Sequence, residues 1–323
     1  MLCTFCNEAV EPHFSFCEAC GKPVSGLPTP VAQDQQGSSM GERCACGGTQ
    51  FDGDGFCVSC GHRASPSDVI DVQEVGVLAA GASHRGRHHA DNQDAVMIQE
   101  LPGGLAIALA DGVSTACHAR AAADLGVQTA LQTLQDAVGL GPAQRLEFAV
   151  RRAHEAVCTL PYDAHDAHNG PQLAEPQATL VLAFVLDDRV WYAWVGDSRL
   201  YLLGQGASLQ LTRDDSWLNE QVGAGVSLEA ARKDANAHCI TQCLGMRDDE
   251  PVVHVDSHPL TPGATLLLCS DGLWNYCEAP EMLWKMTNGV AGSLAQKCLA
   301  CVHFANASGG QDNVTIALYR HPD

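Results

Sequence analysis

Four aspartates in this chain sit where apolar runs begin or stop. Leu266 to Cys269 is a continuous apolar run, read as a short buried strand, and Asp271-Gly272 follows it. Leu105 to Ala110 is a second such run, followed by Asp111-Gly112. Asn92-Gln93-Asp94 precedes a strand predicted over Ala95 to Ile98, and Gln311-Asp312-Asn313 precedes one over Val314 to Tyr319. An apolar run tolerates a carboxylate only where something pairs with it. Each aspartate is therefore expected at a strand mouth, facing a cation. Four strand ends can converge on one rim, and hard oxygens gathered that way suit Mg²⁺ or Mn²⁺. Taken singly, Asp-Gly is a common turn pair and Asp312-Asn313 would simply start a strand. The joint occurrence carries the metal reading.

The elements that must position these residues span most of the chain. Strands are predicted over Val75 to Ala80, Thr179 to Leu186, Val190 to Val195, Arg199 to Leu203, Val252 to Leu260 and Ala264 to Cys269. Helices are predicted over Ala116 to Leu134, Pro142 to Leu160, Pro280 to Met286 and Ser293 to Asn306, with Pro142 suited to a first turn. Asp214 to Lys233 reads as two short helices around Gly223-Ala224-Gly225. Tyr162 to Pro176, with His165 and His168, reads as a surface loop. Strands and helices occur in runs without strict alternation, which argues for an α+β domain.

Asn92-Gln93-Asp94, Ala110-Asp111-Gly112, Gly196-Asp197-Ser198-Arg199, Ser270-Asp271-Gly272 and Asp312-Asn313 occur in that order. Together they resemble the metal-dependent Ser/Thr protein phosphatases of the type 2C (PPM) family, bacterial branch, over about residues 73 to 320. The resemblance implies a four-layer α-β-β-α sandwich of two antiparallel sheets with the metals at one end. It implies a mobile flap at Asp214 to Lys233. It also implies that Asp111 bridges two ions, that Asp94 reaches one through water, and that Gly112 adds its carbonyl. Asp271 and Asp312 would hold the other ion. Asp197 matches a position that helps hold a third, weaker one, although Asp197-Ser198 alone would read as a hairpin turn. The expected cofactors are thus two or three Mn²⁺ or Mg²⁺.

The implied reaction is phosphomonoester hydrolysis. A phosphate monoester dianion repels a nucleophile and hydrolyses extremely slowly unaided. A metal-bridging hydroxide would attack it, so no protein nucleophile is required. Three positions depart from the family pattern. Gln93 stands where many relatives carry glutamate. Val113-Ser114 replaces a histidine-glycine or methionine-glycine pair, so the leaving group must draw its proton from water or another source. His89 stands where relatives carry a phosphate-gripping arginine, within Ser83-His84-Arg85-Gly86-Arg87-His88-His89. Either His89 contacts the phosphate, or Arg87 or Arg85 swings in from a shifted loop. The alternative function is a catalytically weak or inactive phosphatase-fold binding module.

A second constellation lies ahead of this domain. Cys3, Cys6, Cys17 and Cys20 form one set, and Cys44, Cys46, Cys57 and Cys60 another. Phe16-Cys17-Glu18-Ala19-Cys20-Gly21 repeats as Phe56-Cys57-Val58-Ser59-Cys60-Gly61. Four thiolates per set suit structural Zn²⁺, so two small zinc ribbons are expected. Metal binding would supply the folding free energy of segments this short. The Cys44-x-Cys46 gap is one residue short, and His62 is an alternative ligand there. The expected organisation is a zinc ribbon over 1–26, a linker over 27–40, a second ribbon over 41–65, a linker over 66–72 and the phosphatase domain over 73–323.

The chain has 323 residues, 46% of them hydrophobic, and a formal net charge of −20 from 38 acidic and 18 basic side chains. That balance argues against a nucleic-acid groove and an anionic membrane surface. No apolar run approaches the ~18 residues of a spanning helix, and the first residues run straight into a cysteine motif rather than a signal peptide. A cytoplasmic protein is expected. Of the 16 cysteines, the eight beyond residue 60 are expected mostly as buried small hydrophobes. The expected partners are phosphoproteins, made by a bacterial-type Ser/Thr kinase, and a protein partner for the ribbons.

Overall fold

The computed structural model describes residues 69–162, 175–205 and 208–322. The eight candidate zinc cysteines, both ribbons, the linker 27–40, residues 66–68 of the linker 66–72 and His165 and His168 lie outside the described residues.

The strands are β1 (Asp71–Val75), β2 (Ala79–His84), β3 (Ala95–Leu101), β4 (Gly104–Ala110), β5 (Leu180–Leu186), β6 (Arg189–Val195), β7 (Arg199–Leu203), β8 (Leu209–Gln210), β9 (His254–Pro259), β10 (Thr265–Cys269) and β11 (Val314–Arg320). They form two antiparallel sheets, ordered β1-β2-β11-β10-β7-β8 and β3-β4-β5-β6-β9. The helices are α1 (Ala119–Asp136), α2 (Pro142–Cys158), α3 (Trp217–Gly223), α4 (Leu228–Ala231), α5 (Asp271–Trp274), α6 (Pro280–Gly289) and α7 (Leu294–Ala307).

Side-chain alternation along the strands decides how these pieces stack, because successive residues face opposite sides of a sheet. In β4, Leu105, Ile107 and Leu109 face the layer between the sheets, while Ala106, Ala108 and Ala110 face α1 and α2. In β5, Val181, Ala183 and Val185 face inward, and Leu180, Leu182 and Phe184 meet the helices. The other sheet mirrors this. Leu266 and Leu268 of β10 and Ala317 and Tyr319 of β11 point between the sheets. Leu267, Cys269, Ile316 and Leu318 pack against α6 and α7 through Leu283, Cys298, Cys301 and Val302. The result is an α-β-β-α stack with three apolar layers. Burial of each large aliphatic side chain contributes about 1.5–3 kcal/mol. That stabilisation holds the strand ends in place and offsets the cost of crowding carboxylates at one rim.

Helix ends follow local chemistry. Pro142 opens α2 as expected. Ser293 caps α7, accepting from Gln296 N at 3.3 Å, while Gln296 Oε1 accepts from Ser293 N at 2.9 Å. Ser216 and Ser227 cap α3 and α4, the two short helices expected around Gly223. All eight described cysteines are free thiols. Five are buried, Cys117 and Cys158 are partly exposed and Cys239 is exposed.

Two expectations need correction. The strand read over Val75 to Ala80 is instead a hairpin corner. Gly76 takes a left-handed φ of 56°, so β1 ends at Val75 and β2 begins at Ala79. β1 also starts at Asp71, so residues 71 and 72 of the expected linker 66–72 belong to a sheet. Asp271 follows the end of β10 and opens the short helix α5, with Ser270 ahead of it. Among the described residues, no helix is long and apolar enough to cross a membrane.

Candidate functional site

Asp94 lies at the start of β3 and is 1% exposed. Ser270, at the end of β10, donates from Oγ to Asp94 Oδ2 at 2.7 Å. The same Ser270 Oγ accepts from Thr315 N at 3.0 Å. Thr315 Oγ1 lies 2.6 Å from Ser83 Oγ, which accepts from Asn92 Nδ2 at 2.7 Å. One hydroxyl and amide chain thus joins β2, β10 and β11 of one sheet to the mouth of β3 in the other. Asn313 adds a second tie. Its Oδ1 accepts from Gln93 N at 2.7 Å, and its Nδ2 donates to the carbonyls of Arg85 and Asp91. Sequence reading assigned no role to Ser270 or Asn313, although both sit inside the quoted motifs. Thr179 gave no signal at all, yet its Oγ1 accepts from Asp111 N at 3.0 Å and lies 2.7 Å from Ser198 Oγ.

The predicted aspartates do reach one rim, and the acidities of Asp94, Asp111, Asp197 and Asp271 record it. Burial pushes Asp94 up to about 6, against lowering hydrogen bonds from Ser270 and Thr315 and with a raising contribution from Asp312. Asp111 keeps some solvent access. Its carboxyl is nevertheless raised well above the usual range, first by desolvation and then by Asp94, Asp271, Asp197 and Asp312. Asp271 is raised well above it too, by desolvation and then by Asp197, Asp312 and Asp94. Desolvation also pushes Asp197 up to about 7, with Asp214 adding to the shift and Arg199 opposing it. Mutual repulsion among five carboxylates is the arrangement a multivalent cation relieves.

Two buried oxygens test the fit of such a cation. Asp94 Oδ1 and Asp271 Oδ1 have no hydrogen-bond partner, and a buried polar atom left so is costly. Their other oxygens are used: Asp94 Oδ2 by Ser270 and Asp271 Oδ2 by Asn275 Nδ2 at 3.1 Å. Gly112 is similarly constrained, since a Cβ there would meet the Ala119 carbonyl oxygen at 2.6 Å and that of Gln93 at 2.8 Å. Among the described residues, no group of three carboxylates, histidines or cysteines is drawn together as a ready-made metal site. Carboxylate donors fit Mg²⁺ or Mn²⁺.

His89 reaches the rim, but it turns toward an aspartate. Its Nε2 lies 3.3 Å from Asp312 Oδ1, which also accepts from Asn313 N at 2.8 Å. Arg85 donates from Nη1 to the His89 carbonyl at 2.6 Å and so shapes the loop. Arg87 is exposed. Its backbone N donates to the Gly310 carbonyl at 2.8 Å, and its aliphatic stem lies against Gly310.

Asp197 sits in the turn between β6 and β7. Trp274 Nε1 donates to its carbonyl at 3.0 Å. Arg199, two residues on, is buried over the Trp274 ring at 3.8 Å from its centroid. A cavity of 310 Å³ opens beside Asp197, lined by Arg199, Asp214, Leu218, Trp274 and Asn275 among others. Residues of α3 therefore border the rim at Asp197, where the flap was expected.

The Protein phosphatase 2C family profile matches residues 80–301. The chain belongs to the protein phosphatase 2C family. Protein phosphatase PhpP of Streptococcus pneumoniae is 33% identical over 244 residues, 72% of this chain and 93% of that protein. The Serine/threonine phosphatase stp of Listeria monocytogenes is 30% identical over 240 residues, 72% of this chain and 91% of that protein. Among solved structures, the serine/threonine phosphatase PstP/Ppp of Mycobacterium tuberculosis aligns with a TM-score of 0.62 at 26% identity, over 79% of this chain and 100% of that one. The catalytic domain of PstP in complex with two manganese ions aligns with a TM-score of 0.59 at 28% identity, over 79% and 100%. The two-sheet protein phosphatase 2C architecture and the order of the aspartate motifs agree with this membership.

Proposed function

We propose that this chain is a metal-dependent protein serine/threonine phosphatase. The observation that carries the reading is the pair of buried, unpartnered oxygens on Asp94 and Asp271, within a rim of aspartates from five separate motifs. Two phosphatases named for serine/threonine substrates or as protein phosphatases are similar over 93% and 91% of their own length.

In this reading Asp94, Asp111, Asp271 and Asp312 and the Gly112 carbonyl would hold two Mn²⁺ or Mg²⁺, and Asp197 would help hold a third. Such ions, when bound, neutralise phosphoryl oxygens and acidify water. The chain's own contribution is placement. Ser270 and Asn313 fix the mouths of β3 and β11, so that the carboxylates need not reorganise during reaction. His89, 3.3 Å from Asp312, would either meet a phosphate oxygen or orient that aspartate. Val113-Ser114 supplies no acid for the leaving alkoxide, so water would serve.

Phosphoproteins made by a bacterial-type Ser/Thr kinase would be the substrates, in the cytoplasm. The experiment is phosphate release from a phosphothreonine peptide with Mn²⁺ and with EDTA. Release that requires Mn²⁺ supports the reading, and no release under either condition overturns it.

The amino-terminal cysteines form a separate part of the proposal. Cys3, Cys6, Cys17 and Cys20 would hold one Zn²⁺, and Cys44, Cys46, Cys57 and Cys60 a second, as protein-interaction modules over 1–26 and 41–65 ahead of a phosphatase domain beginning near residue 71. Support comes from the repeated cysteine spacing. Metal analysis of the full chain should find about two zinc ions per chain. Finding none would remove the ribbons.

A further inference from the structure

Asp214 and Asp215 are neighbours in sequence and serve opposite ends of the Gly196-Asp197-Ser198-Arg199 turn. Asp214 grips the far end. Its Oδ1 and Oδ2 accept from Arg199 Nε at 2.9 and 3.2 Å, and its Oδ2 accepts from Arg199 Nη2 at 2.7 Å. Asp215 grips the near end. Its Oδ2 accepts from Gly196 N at 2.9 Å, and its own backbone N donates to the Gly196 carbonyl at 3.0 Å.

The remaining oxygen of Asp215 is itself oriented. His254 Nε2, from β9, lies 2.8 Å from Asp215 Oδ1. The imidazole stacks on Trp194 of β6, with ring centroids 4.8 Å apart and planes 20° apart. Trp194 is fixed in turn, donating from Nε1 to the Arg213 carbonyl at 2.8 Å. The stack sets the plane of the imidazole and the carboxylate sets its edge.

Asp215 is also the root of α3. Thr241 N donates to its carbonyl at 2.9 Å, and the next residue, Ser216, caps the helix. Trp217 N donates to the Cys239 carbonyl at 2.9 Å. One side chain therefore touches the turn that carries Asp197, while its backbone anchors the helix beside the rim. A cavity of 500 Å³ lies over the pair, lined by Trp194, Asp215, Asn219, Glu220, Thr241 and His254 among others.

We propose that Asp215, oriented by His254, is a positioning residue that fixes the Gly196-Asp197 turn, and with it the Asp197 carboxylate, and couples that turn to the seating of α3. The inference rests on the phosphatase reading only in taking Asp197 as a ligand of the third ion. A supporting pair matters here because a catalytic carboxylate displaced by ~1 Å loses most of its effect. The buried ion pair of Arg199 with Asp214 holds the far end of the turn, Trp274 and Thr179 hold its middle through the Asp197 carbonyl and Ser198 Oγ, and Asp215 engages Gly196 at the near end.

The full chain is compared with His254→Phe, His254→Gln and Asp215→Asn. His254→Phe keeps a ring on Trp194 and removes the N–H. His254→Gln gives up the ring and restores an N–H at the reach of Nε2. Three quantities are read: Mn²⁺ binding from the resonance signal of the free ion, amide hydrogen exchange over 190–200 and 214–225, and hydrolysis of p-nitrophenyl phosphate. His254→Phe and Asp215→Asn should weaken the weakest Mn²⁺ site roughly tenfold, the size expected for losing a charge-assisted hydrogen bond. Exchange over 196–199 should quicken, and kcat should fall with KM little changed. His254→Gln should recover most of each.

The proposal is overturned if His254→Phe changes only the melting temperature, with Mn²⁺ binding and exchange as in the parent. It is equally overturned if His254→Gln is as impaired as His254→Phe, because the stack rather than the N–H would then matter. If the parent hydrolyses nothing, the phosphatase reading fails on that arm alone, and binding and exchange still decide whether Asp215 positions the turn.

Discussion

Ser270 donates a 2.7 Å hydrogen bond to Asp94 across 176 residues of sequence, and through it β10 of one sheet sets the carboxylate at the mouth of β3 in the other. Ser270 is fully buried, and its Oγ also accepts from Thr315 N. Ser270→Ala would leave that amide and Asp94 Oδ2 without the hydroxyl. Each buried group so orphaned costs about 1–3 kcal/mol. With two groups orphaned, urea unfolding of the EDTA-treated protein should show a loss of about 2–6 kcal/mol, and Mn²⁺ binding should weaken in parallel. Wild-type unfolding free energy together with wild-type Mn²⁺ affinity would show that the contact is incidental.

The metal-free protein should lose stability as pH rises. Asp94 and Asp197 have an ordinary value of 3.8 and are raised by burial to about 6 and about 7. A group whose folded pKa is raised contributes its stabilisation fully below its unfolded value and loses it as pH climbs through the folded one. Melting temperature in EDTA should therefore fall between about pH 4 and pH 7. Mn²⁺ should stabilise more at pH 8 than at pH 5, because binding requires ionised carboxylates. Asp94→Asn should flatten the EDTA profile. A metal-free melting temperature that rises from pH 5 to pH 8 would contradict the burial argument.

His89 and Arg87 make opposite predictions for phosphate affinity. His89 stands 3.3 Å from Asp312, whereas Arg87 is exposed with its stem on Gly310. On p-nitrophenyl phosphate with saturating Mn²⁺, His89→Ala should raise KM several-fold, roughly the loss of one hydrogen bond to a charged group. Arg87→Ala should change KM by less than about twofold, as for a solvent-exposed cation. The reverse order of effects would make Arg87 the phosphate ligand and His89 a partner of Asp312 alone.

Much of this was legible from the chain. Leu105 to Ala110 alternates large and small apolar residues, and that alternation alone sorts β4 between the sheet–sheet layer and the helix layer. Asp94, Asp111, Asp271 and Asp312 were expected on one rim, with Asp197 beside a third ion, and after desolvation the charges of the other four are what raise Asp111. The supporting groups were not legible. Ser83, Thr179 and Thr315 are single hydroxyls with no periodic signature, and their partners come from other strands, Ser83 and Thr315 being 232 positions apart. The Val75 to Ala80 run failed for a local reason: apolar composition masked a glycine in a left-handed turn. His254 carries no sequence signal because its meaning comes from Asp215, 39 residues away.

The central claim is that the aspartate rim holds divalent ions for phosphomonoester hydrolysis. Asp271 tests it most directly, since one of its oxygens is buried without a partner and its charge is felt at Asp111. Asp271→Asn replaces the charge with an amide of nearly the same volume, so no cavity opens and the fold should persist. The measurement is phosphate release from a phosphothreonine peptide at saturating Mn²⁺, by the parent and by Asp271→Asn, with far-ultraviolet circular dichroism on both. The account predicts Mn²⁺-dependent turnover in the parent and a loss of about a hundredfold or more in a folded variant, equivalent to about 2.7 kcal/mol of transition-state stabilisation. A folded Asp271→Asn protein that keeps near-parental, Mn²⁺-dependent turnover would contradict it.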